Sequence, residues 1–457
     1  MSYKQFTILT AALMTALLLW FSLSVFFGQT SAIACTAAIT LITAILWVTE
    51  VIPIPVASLV PFVMFPFAGV LTHKQVASAL GNQVIVLLMG AFMLSRSLEK
   101  SGVHRRLAVY MVTLVGANSG RRVVTGFMLA AAFLSMWISN TATTLMLIPI
   151  ALAVLQSVDD RAMGSALILG IAYAASVGGI GTPIGTPPNI IFISVYQETT
   201  GNEVDFLAWM KTAVPIVLVS VPLMAAWITR NVKVAQAFQL PEVGDWRSSE
   251  KRVLLVFGFI VIAWVTRKLW SDWLEMSAVG DSTIALMGVV VMFLIPSGEN
   301  QEKLLDWETA SDIPWGMLLL FAGGIAIAKA FTASGLNNQL ASLLSSLSTL
   351  PLLGLIIVLC LFVTFLTEIT SNTATATLLM PVLASAAIAA GTDPVLLMMP
   401  AAISASCAFM LPVATAPNAI AYATGKFKLT DMAKEGMVLN VIVACIVSII
   451  CYLMLDA

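Results

Sequence analysis

From Ala330 to Gly425 the chain carries two carboxylates, Glu368 and Asp393, and no Lys, Arg or His. A segment so poor in charge cannot cover a globule with polar surface, and hydrocarbon is the solvent in which it makes sense. The rest of the chain is similar: 60% of the 457 residues are hydrophobic and 10% charged, against roughly 25% charged in an ordinary soluble domain. A soluble multidomain enzyme is thereby excluded. Each membrane-crossing helix takes about 20 apolar residues, so the length allows on the order of eleven crossings. The sequence reads as an all-α polytopic membrane protein with the lipid bilayer as its first partner. A net charge of −1 argues against nucleic acid as another.

Cys35, Cys360, Cys407, Cys445 and Cys451 lie inside apolar runs without paired spacing, and read as small hydrophobes, not a disulfide framework or metal site. His73 and His104 sit among charged loop residues and carry no evident chemistry. Lys4 and the apolar run to Phe27, followed by Ala32-Ile33-Ala34, resemble a signal peptide. The run is longer than a typical signal core and a second one starts at once, so a retained first span is expected.

Charged and turn-rich stretches divide the chain into spans near 6–27, 31–52, 55–71, 83–98, 163–197, 212–229, 253–269, 282–296, 314–331, 395–424 and 436–455. Two further uncharged blocks, 123–158 and 350–391, differ. In the first, Ser139-Asn140-Thr141 follows only ~16 residues, roughly 24 Å of helix, short of the ~30 Å hydrocarbon core. A helix that turns at a polar tip and leaves by the side it entered fits better, so both blocks read as re-entrant hairpins. Lys100, Arg105, Arg106, Arg121 and Arg122 place their segments in the cytoplasm, as do Arg230, Lys233, Arg247, Lys251 and Arg252, and later Lys426, Lys428 and Lys434. The acidic loop 299–312 does not help. The N-terminus is expected inside and the C-terminus outside, in the cell's inner or plasma membrane.

The strongest organising signal is an internal repeat. Phe133–Pro149 matches Phe365–Pro381, Gly90–Gly102 matches Gly323–Gly335 with Arg96 over Lys329, and Thr186-Pro187-Pro188-Asn189 matches Thr415-Ala416-Pro417-Asn418. Three matches in order mean a duplicated unit. Five crossings between the two Ser-Asn-Thr tips would invert the second copy, an architecture typical of secondary transporters. The expected division is a first transmembrane helix at 1–30 and repeat 1 at 31–235, with hairpin 123–158 and broken helix 163–197. A cytoplasmic linker at 236–252 leads to repeat 2 at 253–457, with hairpin 350–391 and broken helix 395–424.

Ser, Thr and Asn are favoured helix N-caps. At a hairpin tip, Ser139-Asn140-Thr141 and Ser371-Asn372-Thr373 would start the returning half-helix, whose N-terminus carries partial positive charge and free N–H donors. Two such ends brought together near the midplane suit a small molecule with two acidic groups. The run from Gly178 to Asn189 and its counterpart from Leu411 to Asn418 carry prolines that must break their spans. Freed carbonyls can then coordinate a hard cation such as sodium. Neighbouring neutral oxygens complete each candidate set: Ser135, Ser139, Asn140 and the Gly185 carbonyl in one half, and Thr367, Thr370, Asn372 and the Ala414 carbonyl in the other. The glycines have neither the spacing nor the preceding strand of a nucleotide loop. Glu368, the one acidic residue inside the hairpins, has Met136 as its counterpart; proton coupling is open to it, and a local structural or gating role is favoured. Glu50, at a span end before Pro53 and Pro55, reads as interfacial.

At these residues the sequence resembles the divalent anion/sodium symporter family over nearly its whole length. The resemblance implies a homodimer with a fixed scaffold and a mobile elevator-like domain, cotransporting several sodium ions with a C4-dicarboxylate such as succinate, malate or fumarate. It further implies that Asn140 and Asn372 touch both substrate and sodium, and that Thr141, Thr373 and Thr415 face the substrate. Thr186 and Pro187, the first-half counterparts of Thr415 and Ala416, complete the candidate set with Ser139 and Ser371. Ala416 departs from the family, where many relatives carry a second Pro-Pro, which changes the shape expected of that break. Two intact Ser-Asn-Thr motifs favour sodium coupling over a sodium-independent dicarboxylate exchanger. A tricarboxylate or sulfate carrier is the alternative within transport and a channel a third option. An intramembrane enzyme finds no support, since His-Glu-x-x-His, Gly-x-Ser-x-Gly and paired intramembrane Asp residues are all missing from the sequence.

Overall fold

A chain dissolved in hydrocarbon must satisfy its backbone polar groups internally, and this chain does so with helices. The structure, a computed structural model, describes residues 3–156, 160–276, 278–298, 302–339 and 351–455. Among them no strand forms beyond an isolated bridge between Pro296 and Lys303, and the fold is that of an all-α polytopic membrane protein. The expected hairpin ends at 157–158 and 350, residues 299–301 of the acidic loop, and positions 1–2 and 456–457 lie outside the described residues.

Among the described residues eight helices are long and apolar enough to cross a bilayer, or nine if the pair Ser248–Val265 and Arg267–Trp273, bent by 74°, is one span. Eight of the eleven expected spans are among these nine, the ninth being Asn372–Ala389, the returning arm of the expected 350–391 hairpin; the other three expected spans fall short for local reasons. The segment expected at 55–71 forms two short pieces, Ile54–Ala57 and Val60–Phe67, each with Pro in its first turn, where a missing N–H costs little. The span at 282–296 is a 14-residue helix, Asp281–Leu294, and that at 395–424 is interrupted after Ala405.

Among the described residues, two helices of eight residues or more were not expected, along with a single turn at Trp307–Ser311 in the acidic loop. His73–Leu80 opens on a capping box between Thr72 and Gln75. Val103–Val115 turns its apolar face inward, burying Val103, Ala108, Val109 and Val112, where the sequence showed only a basic loop. Arg106 of this helix is itself buried, donating to the carbonyls of Gly244 (2.8 Å), Val243 (2.9 Å) and Asp245 (2.7 Å) and to Glu250 (3.1 Å). It thus pins the segment expected to link the repeats, and helix formation resumes at Ser248, inside the expected 236–252 linker. The first expected span is the helix Tyr3–Phe21, continued by a π-helical turn over Ser22–Phe26.

Both polar tripeptides fall between paired helices. Gly120–Ser135 and Asn140–Leu155 flank the first, and Leu352–Thr367 and Asn372–Ala389 the second, each pair joined by a short turn. The first proline-bearing run separates Arg161–Gly178 from Pro187–Thr200, with a 3₁₀ turn over Gly179–Gly181 between them. The second separates Val395–Ala405 from Ala416–Ala423.

The hairpin and the broken span are in backbone contact. A Cβ on Gly178 would lie 2.2 Å from the Ala132 carbonyl oxygen, and one on Gly170 2.9 Å from Met128. Small residues at such crossings let membrane helices approach closely. Gly178→Ala is expected to lower stability by at least about 2 kcal/mol, the scale of core overpacking, read as a fall in Tm in detergent. The control is Gly258→Ala, where a Cβ meets nothing within 4 Å and the helix gains up to about 1 kcal/mol. Equal Tm values for the two variants would contradict the close contact.

Candidate functional site

The two tips share one hydrogen-bond plan. Behind the first, the buried Ser135 hydroxyl donates to Asn140 Oδ1 at 2.6 Å; behind the second, the buried Thr367 hydroxyl donates to Asn372 Oδ1 at 2.7 Å. Each bond fixes the Asn side chain at the first position of its returning helix. The caps differ. Ser139 Oγ accepts the N–H of Ala142 at 3.1 Å, whereas Ser371 makes no side-chain cap. Beside it the Thr370 hydroxyl donates to the Leu366 carbonyl (2.8 Å) and bonds the Thr375 hydroxyl (2.6 Å). Thr370, expected among the cation ligands, thus has its hydroxyl engaged within its own hairpin.

The breaks are held by the asparagines that follow their prolines. Asn189 Nδ2 donates to the carbonyls of Gly179 (3.0 Å) and Thr182 (2.8 Å), and Asn418 Nδ2 to those of Ala408 and Leu411 (both 3.0 Å). Both asparagines are fully buried. Trp209 Nε1 adds a bond to the Ile180 carbonyl at 2.8 Å, and the Thr182 hydroxyl donates to the Met136 carbonyl at 2.5 Å. Thr186 and Thr415 both take extended backbone before their helices. Thr415 Oγ1 accepts the N–H of Asn418 (3.2 Å), while Thr186 Oγ1 accepts from the Ser406 hydroxyl (3.4 Å), which joins the two breaks directly.

Tips and breaks meet around a cavity of about 630 Å³. Ser139, Asn140, Thr141, Thr186, Pro187, Ser371, Asn372, Thr373 and Thr415 all line it, together with Gly185, Ala414 and Ala416. Ser135 and Thr367 lie behind that wall, each bonded to its Asn. In the first half two of the expected cation oxygens are drawn together at the break: a Cβ on Gly179 would lie 2.6 Å from Asn140 Oδ1 and 3.1 Å from the Gly185 carbonyl oxygen, so the bare glycine lets both approach. Neutral oxygens grouped in this way suit a monovalent cation. The cavity itself, with two helix N-termini on its walls, can receive two carboxylate groups.

Sequence reasoning missed the cavity's charged rim. Arg96 lines it with Glu99 and Asp312 and is ion-paired to both. Next to it Lys100 pairs with Asp306, and that hydrogen bond holds the Asp306 carboxyl down to about 2. The match of Arg96 with Lys329, a cation embedded in an apolar repeat, was the available signal. Trp137, Phe92 and Phe321 supply apolar wall, and nothing in their spacing marked them.

Comparison with known proteins agrees with this architecture. A family model described as citrate transporter matches residues 44–396. The sodium-dependent dicarboxylate transporter SdcS of Staphylococcus saprophyticus is 40% identical over 440 residues, covering 91% of this chain and 85% of that protein. Its Staphylococcus aureus counterpart is 39% identical, covering 91% and 84%. The crystal structure of the Alcanivorax borkumensis YdaH transporter superposes with a TM-score of 0.57 at 14% identity, covering 84% of this chain and 87% of that one, a likeness of fold. The chain belongs to the citrate transporter family of membrane transporters, the group in which its resemblance to the divalent anion/sodium symporters had placed it.

Proposed function

We propose that the protein carries a C4-dicarboxylate, such as succinate, malate or fumarate, into the cell together with sodium ions. The observation that carries this is the cavity in which both Ser-Asn-Thr tips and both breaks converge. A dianion there meets two helix N-termini, two amides and several hydroxyls. Arg96, the cation on the rim, is already paired with two carboxylates. Neutralisation then falls to sodium ions held by the oxygens behind each tip: Ser135, Ser139, Asn140 and the Gly185 carbonyl on one side, and Thr367, Asn372 and the Ala414 carbonyl, with Thr370 beside them, on the other. Relatives named sodium-dependent dicarboxylate transporters support both halves of this assignment.

The two halves are read as inverted repeats and the protein as a homodimer, in which the hairpins and broken spans move past a scaffold as an elevator does. The backbone contact at Gly178 and the Ser406–Thr186 bond support movement as one body. The charged rim lies at the end of the helix Gln83–Ser101 that bears Lys100. By the distribution of basic residues this is the cytoplasmic end, which makes the cavity inward-open; the N-terminus is read as inside and the C-terminus as outside. The family's description leaves citrate as the second reading.

In vesicles, uptake of labelled succinate is expected to accumulate against a gradient with sodium outside and to collapse when choline replaces it. Malate and fumarate should compete; citrate and sulfate in excess should not. Inhibition by citrate would favour the tricarboxylate reading, and sodium-independent uptake would end the coupling assignment.

Asn140→Ala and Asn372→Ala are each expected to cut kcat/KM for succinate by at least about 100-fold, since each removes a group shared by substrate and cation. The elution volume and Tm should stay near those of the parent. Parental uptake by either variant would reduce the tips to packing elements.

A further inference from the structure

The two breaks solve one backbone problem by different means. In the first, glycines let the chain fold onto itself: a Cβ on Gly185 would lie 2.4 Å from the Gly179 carbonyl oxygen, and one on Gly181 2.9 Å from the Met136 side chain. Aligned with Gly179, Gly181 and Gly185 in the second half are Ala408, Met410 and Ala414. Side chains at those positions rule out the same collapse, so the second break needs another means of satisfying its backbone.

Glu368 supplies it from the position that Met136 holds in the first half. Its Oε1 accepts the N–H groups of Phe409 (2.6 Å) and Met410 (2.8 Å) and the Asn440 amide (2.8 Å); its Oε2 accepts the N–H of Leu411 (3.0 Å). Three consecutive N–H groups aimed at one carboxylate form a backbone nest. The carboxylate is 3% exposed and lies behind the cavity wall. The last helix, Leu429–Leu455, closes the arrangement. Gly436 leaves room for the Phe409 carbonyl, which would lie 2.2 Å from a Cβ there, and Asn440 one turn later makes the fourth bond. Downstream, the Leu411 carbonyl accepts the N–H of Ala414 and the Asn418 amide. A shift of the Phe409–Leu411 turn therefore moves the Ala414 carbonyl.

We propose that Glu368 is a positioning residue for cation binding in the second half. Anchored to the last helix, it fixes the Phe409–Leu411 turn and through it the Ala414 carbonyl. The inference rests on the sodium-coupled function proposed above. Glu368 does not line the cavity and acts through the backbone it holds.

The test measures sodium half-saturation, succinate KM at saturating sodium and maximal rate in vesicles, with Tm in detergent with and without sodium, for the parent, Glu368→Gln and Asn440→Ala. Glu368→Gln retains the size of the side chain but leaves the Leu411 N–H facing an amide. It is expected to raise sodium half-saturation about tenfold, on the scale of one lost charge-assisted hydrogen bond, and to weaken the sodium-induced rise in Tm. Maximal rate should change little. Asn440→Ala retains the carboxylate and removes one of its four donors, and is expected to raise the sodium constant about threefold. If Glu368→Gln does not fold, Asn440→Ala alone decides. An unchanged sodium constant in Asn440→Ala would leave only the charge of Glu368 in play and overturn the positioning role. So would a Glu368→Gln variant that loses maximal rate with an unchanged sodium constant. A parent without sodium dependence would instead overturn the functional assignment, and this proposal with it.

Discussion

A residue that leaves the helix at membrane depth must find its hydrogen-bond partners in the protein or in a water-filled cavity, because the hydrocarbon supplies none. The tips and breaks that line the cavity are the places where helix is given up, and there single side chains take over the work of the ladder. Asn189 and Asn418 bridge the carbonyls of their breaks, Trp209 takes another, and Glu368 collects three N–H groups. Leaving such groups unpaired in an apolar interior costs roughly 1–3 kcal/mol each, so a few uncompensated groups would consume the whole stability of a typical domain. The groups that make a polar cavity possible are thus the ones that keep the fold intact.

The same economy governs the electrostatics. The rim carries Arg96 paired with both Glu99 and Asp312, and the inner wall offers amides, hydroxyls and helix ends. A bare buried charge would need a permanent partner; amides and hydroxyls on a cavity wall are satisfied by water when no substrate is bound. They hold a place for charge without carrying it, which suits a site that must be both loaded and unloaded.

The sequence disclosed the parts of this arrangement that offend the membrane. A polar tripeptide in an apolar block and prolines in a span each force a local solution, and the hairpins and breaks stand where those residues are. Repetition strengthened the signal: Ser135–Asn140 and Thr367–Asn372 form the same bond in the two halves. What remained hidden has no local signature. Val103–Val115 is helical because its inner face is covered by the neighbouring helix Gly120–Ser135, while its Arg residues read as loop. Ile54–Phe67 looked like a crossing because hydropathy does not count how many residues a proline-rich start leaves for the helix. Arg106 reads as one more cytoplasmic cation until the carbonyls of residues 243–245 surround it. Glu368 was visible as an anomaly, but its partners are about 40 and 70 residues away in the chain, beyond the reach of local spacing arguments.

The unlike construction of the two breaks reaches beyond binding. In the first half the geometry is distributed over several glycines, of which Gly178 and Gly185 would each drive a Cβ into backbone. In the second it is concentrated in one carboxylate and the donors it gathers. A saturation scan of the gene would therefore draw two different maps over similar folds. Intolerance would be spread along 178–185 in the first half, and in the second would fall on residues far apart in the chain, Glu368, Gly436 and Asn440.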